Sequence, residues 1–351
     1  MVVSYPPLEG VPQAGEDTMS NNRYRVCVVT LTYSNRWQFL EQVLKRALAA
    51  DAVVNVVLVD NGSTYPVRGQ LFDDRIILLQ NVENLGSAGG YQQGIRYAFK
   101  EVDCDFIWLL DDDNLPDTNA LEELLNHWDT IPGPANRKAL FSFRTDRLPH
   151  VKIAMGEDPG RYYLVPDNFL GFHLFRIVKN QYLKLLGKFK KTGPFADHVK
   201  IPYVPYGGLL LHKELVREIG YPDERFYLYV DDSEYSYRIT QRNGAIWLVP
   251  ASRIVDIDRS QGLTYHKKAF HSHLLDQWSF RTYYHVRNRM FFYSHVSLRN
   301  NFIFGINKTL YLTFLQIISI LSDKRSAYKK LLGAVKDGLK GNLGKADPGK
   351  F

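Results

Sequence analysis

The chain has 351 residues, 45% hydrophobic and 23% charged, with a formal net charge of +7 at pH 7. That length holds one large domain or two modest ones, and the apolar fraction is enough for a real core, which excludes a disordered or fibrous chain. Only two cysteines occur, Cys27 and Cys104. They cannot make a disulfide framework or a thiolate metal site, and they fit a reducing compartment. No charged segment followed by an apolar run opens the chain, so no secretory leader is expected. The positive charge leaves an anionic nucleotide, a membrane surface or nucleic acid as partners.

Residues 1–22 are rich in Pro, Gly and polar residues and read as an arm over the domain. Arg25 to Thr32 is an apolar run, read as the first buried strand. From Arg36 to Ala50, Phe39, Leu40, Val43, Leu44 and Ala47 recur at helical spacing. A second strand, Val53–Val59, ends in Asp60-Asn61-Gly62-Ser63, and Ile76–Leu79 makes a third. Asn84-Leu85-Gly86-Ser87-Ala88-Gly89-Gly90 reads as a glycine-rich turn before a helix from Tyr91 to Phe99. Alternating strands and helices predict an α/β fold with a mostly parallel sheet flanked by helices. Ligands of such sheets bind beyond the carboxyl ends of the strands. Thr32, Asp60 and the glycine turn all fall at such ends.

Asp105 to Asp113 brings the strongest signal, five apolar residues running into Asp111-Asp112-Asp113. An unbroken apolar run reads as a strand buried on both faces. If the chain stays extended, Asp111 and Asp113 point one way and Asp112 the other. Two carboxylates aimed at one point suit a hard divalent cation such as Mg²⁺ or Mn²⁺. An acidic turn capping the following helix fits the same stretch.

The region 140–205 mixes Tyr162, Tyr163, Phe169 and Phe172 with a basic run, Lys184–Lys191, and reads as a lid or acceptor-side insertion. Regular structure resumes at Tyr206-Gly207-Gly208, followed by a helix from Lys213 to Ile219. Asp231-Asp232-Ser233-Glu234 then opens another helix, with Arg238 at ion-pair spacing from Glu234. Taken alone, that segment reads as an acid-capped helix. Further on, Phe302–Leu321 is long and apolar enough to approach a membrane span, but Lys308 in its interior disfavours one. Lysines from 324 to 345 alternate with Leu331, Leu332, Val335 and Leu339, so an interfacial helix on anionic lipid is expected. Deleting residues 323–351 is then expected to release the protein from membranes and spare turnover of a soluble acceptor.

In this order, Val29-Thr30-Leu31-Thr32-Tyr33, Val57–Ser63, Asn84–Gly90, Asp111–Asp113, Gly207-Gly208 and Asp231–Glu234 with Arg238 resemble the family 2 inverting glycosyltransferases of the GT-A fold. The likeness spans roughly residues 25–260. Tyr283-Tyr284-His285-Val286-Arg287-Asn288-Arg289 and Asp231–Tyr235 resemble the bacterial galactofuranosyltransferases and their rhamnosyltransferase relatives. The resemblance implies an arm over 1–22, a glycosyltransferase domain over 23–260 and a helical, membrane-associating region over 261–351.

It also implies roles. Thr32, Asp60, Asn84, Gly86, Gly89, Asp112 and Arg287 are expected against the nucleotide, with Asp60 on the base. Asp111 and Asp113 are expected to hold Mn²⁺ or Mg²⁺ on the diphosphate, and Asp232 to be the general base. Relatives often supply a histidine as third metal ligand. Asp256 holds the matching position here and His266 is the next histidine, so the third ligand stays open between them. The implied function moves galactofuranose from UDP-galactofuranose onto a growing cell-surface polysaccharide or lipid-linked glycan at the cytoplasmic face of the plasma membrane. A rhamnosyltransferase using dTDP-rhamnose is the alternative, and an oligomer is left open.

Two other classes compete. A nucleotidyltransferase would carry its glycine signature at the first strand, where Thr30-Leu31-Thr32-Tyr33 has no glycine. A nucleic-acid-binding protein would interleave basic and aromatic residues on one face, and only 278–293 and 324–345 offer that. No nucleic-acid partner is expected.

Overall fold

The computed structural model describes residues 24–182, 194–258, 265 and 268–351. The arm over 1–22, the basic run Lys184–Lys191, and His266 lie outside the described residues. The first half alternates strand and helix: β1 (Val26–Ser34), α1 (Trp37–Leu48), β2 (Val53–Ser63), β3 (Ile76–Asn81), α2 (Gly86–Glu101), β4 (Phe106–Leu109), β5 (Asn114–Pro116) and α3 (Ala120–Thr130). The second half holds β6 (Lys138–Arg144), α4 (Leu148–Ala154), β7 (Val199–Ile201), β8 (Leu209–His212), α5 (Lys213–Ile219), α6 (Asp231–Gln241) and β9 (Ala245–Asp256). Four helices follow: α7 (His273–Asp276), α8 (Phe280–Val296), α9 (Asn301–Leu321) and α10 (Arg325–Lys340).

All nine strands form one sheet in the order β3-β2-β1-β4-β8-β6-β9-β5, with β7 also on β9. The parallel sheet expected from the sequence runs from β3 to β4. Beyond β4 the sheet is mixed: β8 is antiparallel to β4 and β6, and β9 is parallel to β6. The central strands are buried on both faces, which explains their unbroken apolar runs. One face packs Tyr91, Ile95 and Ala98 of α2 with Leu215, Ile219, Tyr235 and Ile239 of α5 and α6. The other packs Leu40, Val43 and Leu44 of α1 with Leu121, Leu124 and Trp128 of α3. Each fully buried Leu, Ile or Val side chain contributes about 1.5–3 kcal/mol, so these two layers hold the site's scaffold rigid.

The glycine-rich segment differs from the expected turn. Helix α2 already begins at Gly86, whose φ of +74° lets the chain swing into it. The glycines within α2 serve helix–sheet packing. A Cβ on Gly94 would lie 2.6 Å from Val29 Cγ1, and one on Gly90 3.3 Å from Leu31 Cδ2.

The C-terminal helices form a third apolar cluster, in which Leu331, Ala334 and Val335 of α10 pack with Tyr283, Tyr284 and Met290 of α8. The apolar face of α10 is thus turned onto the protein, whereas the sequence reading turned it toward lipid. The exposed apolar surface lies instead on α9, at Phe302, Leu310, Phe314, Ile317, Ile320 and Leu321. By length and composition α9 is able to cross a membrane, and only 22% of its most apolar window is buried.

Candidate active site

The sheet delivers its polar residues to one edge. Strand β4 ends at Leu109, and Asp111–Asp113 form a turn closed by Asn114 N–H donating to Asp111 O at 3.1 Å. The chain is therefore not extended here, and the alternation expected of the three carboxylates does not hold. Asp112 and Asp113 share a partner, while Asp111 faces another way. The Tyr91 hydroxyl donates to Asp111 Oδ1 at 2.7 Å. Buried Arg36, just ahead of α1, donates through Nε to both Asp112 oxygens at 2.8 and 2.9 Å. Its other nitrogens donate to Asp113 Oδ2 at 2.6 Å and Asp258 Oδ2 at 2.7 Å.

Gly207 lies against this turn. A Cβ there would fall 1.7 Å from Asn114 Oδ1 and 2.8 Å from Asp111 Oδ2, so no side chain fits. Arg144, at the end of β6, donates to Asn114 Oδ1 at 3.0 Å and Asp256 Oδ2 at 3.2 Å.

Across the cleft, α6 opens with Asp231 and Asp232, in the first turn where the helix dipole favours negative charge. Ser87 Oγ of α2 donates to Asp231 Oδ2 at 2.9 Å. Asp232 Oδ1 accepts from Ser233 N–H at 2.6 Å and Ser233 Oγ at 3.1 Å. Three residues ahead of this pair have positive φ although none is glycine: Tyr227 (63°), Tyr229 (65°) and Val230 (67°). Such residues cost of order 1–3 kcal/mol each and persist only where their surroundings enforce them.

These groups line one cleft of about 650 Å³. Asp111, Asp112, Asp113, Asp231, Asp232 and Asp256 face it against Arg36, Arg144 and Arg147. His150 and His285, also on its wall, are driven down to about 3 and about 4, chiefly by burial, and are neutral at pH 7. Carboxylate charge therefore outweighs cationic charge. The imbalance shows in the acids themselves. Burial, then repulsion from Asp111, Asp112 and Asp256, pushes Asp113 up to about 7. Burial pushes Asp112 up to about 6 against the pull of Arg36, and raises Asp111 as well. Asp231 and Asp232 are both raised, chiefly by burial, Asp231 the further of the two.

An oxygen-only cluster with surplus negative charge has the donor chemistry of a Mg²⁺ or Mn²⁺ site. Asp111, Asp113 and Asp256 each keep acceptor capacity beyond the hydrogen bonds they make, since a carboxylate has about four lone-pair sites. Among the described residues no three His, Cys, Asp or Glu side chains already converge as ligands.

The cleft brings together Asp111, Asp112, Asp113, Asp232 and Asp256. Thr32, Asp60, Asn84, Gly86 and Gly89 lie along the adjoining edge rather than in its lining. Asp60 Oδ1 caps Ser63 N–H at 2.9 Å, and Asn84 Oδ1 accepts from Gly86 N–H at 2.8 Å. Thr32 is fully buried, its Oγ1 3.5 Å from the Tyr65 hydroxyl. A Cβ on Gly89 would meet Leu85 Cβ at 2.8 Å. Gly86 makes a close approach, to the backbone of Tyr227: a Cβ there would fall 1.9 Å from the Tyr227 carbonyl oxygen. Arg287 is buried away from the cleft, its three nitrogens donating to Asn288, Gly344 and Phe226. Sequence reasoning missed Arg36, Arg144, Ser87 and Tyr91. For Arg36 the available signal was its position, just past the carboxyl end of a buried strand.

Residues 27–135 match Glycosyl transferase family 2. Over 299 residues, 83% of this chain and 82% of the relative, the chain is 26% identical to the low-salt glycan biosynthesis hexosyltransferase Agl10 of Haloferax volcanii. It is 25% identical over 224 residues to the galactofuranosyltransferase GlfT1 of Mycolicibacterium smegmatis, covering 62% of this chain and 65% of that protein, just under two thirds of its length. Among solved structures, GalNAc-T7 with UDP, GalNAc and Mn²⁺ superposes with a TM-score of 0.45 at 14% identity, covering 66% of this chain and 44% of that one. Residues 27–135, which carry β1 to α3 of this sheet, are thus a family 2 glycosyltransferase domain, and the two transferase relatives support glycosyltransferase activity.

Proposed function

We propose that the chain is an inverting, divalent-metal-dependent hexosyltransferase that moves galactofuranose from UDP-galactofuranose to a hydroxyl of a growing surface polysaccharide or lipid-linked glycan. The observation that carries this reading is the shared cleft, in which the Asp111–Asp113 turn faces the Asp231-Asp232 pair. The similarity to a galactofuranosyltransferase supports the sugar.

In this reading Asp232 accepts the proton of the acceptor hydroxyl, and the acceptor oxygen forms a bond to the anomeric carbon. The bond from that carbon to the diphosphate oxygen breaks on the opposite face, and the nucleoside diphosphate departs. One displacement inverts the anomeric configuration, the stereochemical logic also seen in glycoside hydrolysis. Burial makes Asp232 a stronger base than a solvated carboxylate. Asp111, Asp113 and Asp256 would hold the cation, which supplies Lewis-acid stabilisation to the leaving diphosphate. Arg36 keeps Asp112 and Asp113 oriented. Asp60 and the 84–89 segment form the nucleotide side.

The exposed apolar face of α9, flanked by Lys308, Lys324 and Arg325, supports peripheral attachment to anionic membrane. The test is donor turnover across a panel of UDP- and dTDP-sugars with and without chelator. Turnover of UDP-galactofuranose that is lost in chelator and restored by Mn²⁺ or Mg²⁺ is expected. Full activity in excess chelator would remove the metal, and turnover of a dTDP-sugar alone would replace the donor.

A further inference from the structure

We infer that Asn288, braced by Arg287, is a positioning residue that sets the catalytic carboxylate through the strained loop 226–230; this rests on the reading of Asp232 as the base. Tyr227 has φ 63° and ψ −63°, and Leu228 N–H donates to Phe226 O at 2.8 Å. This is a γ-turn of the rare positive-φ kind. Tyr229 and Val230 follow with φ of 65° and 67°, and Val230 is the residue on which α6 starts. Its carbonyl accepts the first helical bond, from Glu234 N–H at 2.9 Å. A change in the path of this loop therefore moves the first turn of α6, where Asp231 and Asp232 sit.

Two adjacent side chains of α8, Asn288 above all, hold that path. Asn288 is fully buried in α8, and its Nδ2 donates to Phe226 O at 2.8 Å and to Leu228 O and Tyr229 O at 2.9 Å each. Three carbonyls from four consecutive residues converge on one nitrogen only while the loop keeps its unusual dihedrals. The amide cannot rotate, because Oδ1 accepts from Arg287 Nε at 2.8 Å. Arg287 is fixed in turn, donating to Phe226 O at 3.0 Å and to Gly344 O at 2.6 Å. With all three nitrogens engaged on protein acceptors, Arg287 is a strut here rather than the nucleotide contact expected from the sequence. From the other side Tyr227 O accepts from Ala88 N–H at 3.2 Å, against Gly86. The loop is thus gripped between the nucleotide-side turn and α8.

The experiment compares wild type with Asn288→Ala, Arg287→Lys, and the double variant Asn288→Ala/Val230→Gly. The readouts are kcat and KM for UDP-galactofuranose, UDP affinity by calorimetry, and Tm. Losing the clamp is expected to lower kcat about 10- to 100-fold with UDP affinity nearly unchanged, the cost of a misplaced group rather than of lost binding. Tm should also fall in Asn288→Ala. Glycine tolerates positive φ, so the double variant should regain Tm while kcat stays low. Recovery of kcat together with Tm would make Asn288 a stability residue and overturn the proposal. So would a kcat near wild type in Asn288→Ala, or UDP affinity falling as far as kcat. If Asn288→Ala is insoluble, Arg287→Lys carries the same comparison. Asp232→Asn, measured alongside, separates the two readings. Full turnover there defeats the base assignment, whereas a dead Asp232→Asn beside a normal Asn288→Ala defeats only the clamp.

Discussion

Ser87 Oγ donates to Asp231 Oδ2 at 2.9 Å, tying the first turn of α2 to the first turn of α6. That bond separates two adjacent acids of equal charge. Asp231 is nearly inaccessible and held by α2, while Asp232 is only partly buried and its carboxylate is held by its own neighbour Ser233. Asp232→Asn should therefore cost on the order of 10²-fold or more in turnover with UDP affinity and Tm preserved, because an amide does not take the acceptor's proton. Asp231→Asn keeps an acceptor for Ser87 and should stay within about tenfold of wild type, the span of one retained hydrogen bond. The reverse ranking would move the base back one residue.

Arg36 offers a second test. It bridges Asp112, Asp113 and Asp258, and all three are buried. Removing the cation from a buried pair typically costs about 3–5 kcal/mol, because the partner's charge stays behind. Arg36→Ala should therefore lower Tm sharply. Arg36→Lys keeps the charge but not the planar fork, and should retain part of the stability with poor turnover. Thermal melts of both variants, with and without Mn²⁺, check this. An unaltered Tm in Arg36→Ala would show the network to be dispensable.

Stability should respond to pH and metal together. Burial, and then the neighbouring carboxylates, push Asp113 up to about 7, far above an ordinary aspartate. The folded state thus holds this proton more tightly than the unfolded chain does. Its contribution to stability is full at low pH and is lost as pH rises through about 7. A divalent cation takes over the proton's role only once the cluster is ionised. Mn²⁺ should raise Tm clearly at about pH 8 and little at about pH 5, where protons already neutralise the cluster. Equal shifts at both values would place the cation elsewhere.

Deleting residues 323–351 should not yield the soluble, active enzyme that the sequence pattern promised. The deletion uncovers Tyr283, Tyr284 and Met290 and removes Gly344, the acceptor of Arg287. Loss of Tm and of turnover is expected. The proposed membrane contact is better probed by Phe314→Asp with Ile317→Asp on the exposed face of α9. Sedimentation with anionic vesicles should be lost and turnover of a soluble acceptor kept. Sedimentation like that of wild type would exclude this face.

What the sequence revealed followed from range. β1, β2 and β4 were legible because strands buried on both faces must be apolar throughout, and α6 because Glu234 and Arg238 sit one turn apart and pair at 2.6 Å. Asp111–Asp113 stood out as charges abutting a core strand. Arg36 did not, since its partners lie 76, 77 and 222 residues away and nothing local marks them. The lysine-rich α10 was recognisable as amphipathic, but amphipathicity does not say which surface meets its apolar side, and α8 meets it here. β6, α4 and β7 were not separable in 140–205 because short elements held by long-range pairing leave little periodicity to read.

The reversal of direction at β4 and β8 is a seam in the sheet. Everything from β1 to β4 is one contiguous stretch whose strands pair only with one another up to that seam, and the family 2 match covers it. The chain then departs through β6 and α4 and returns through β7 to β8, so the connection between them is an excursion anchored in the sheet at both ends. Lengthening or recasting that excursion leaves the register of the first four strands untouched. A change of length between β6 and β8 is thereby uncoupled from the pairing of the parallel strands.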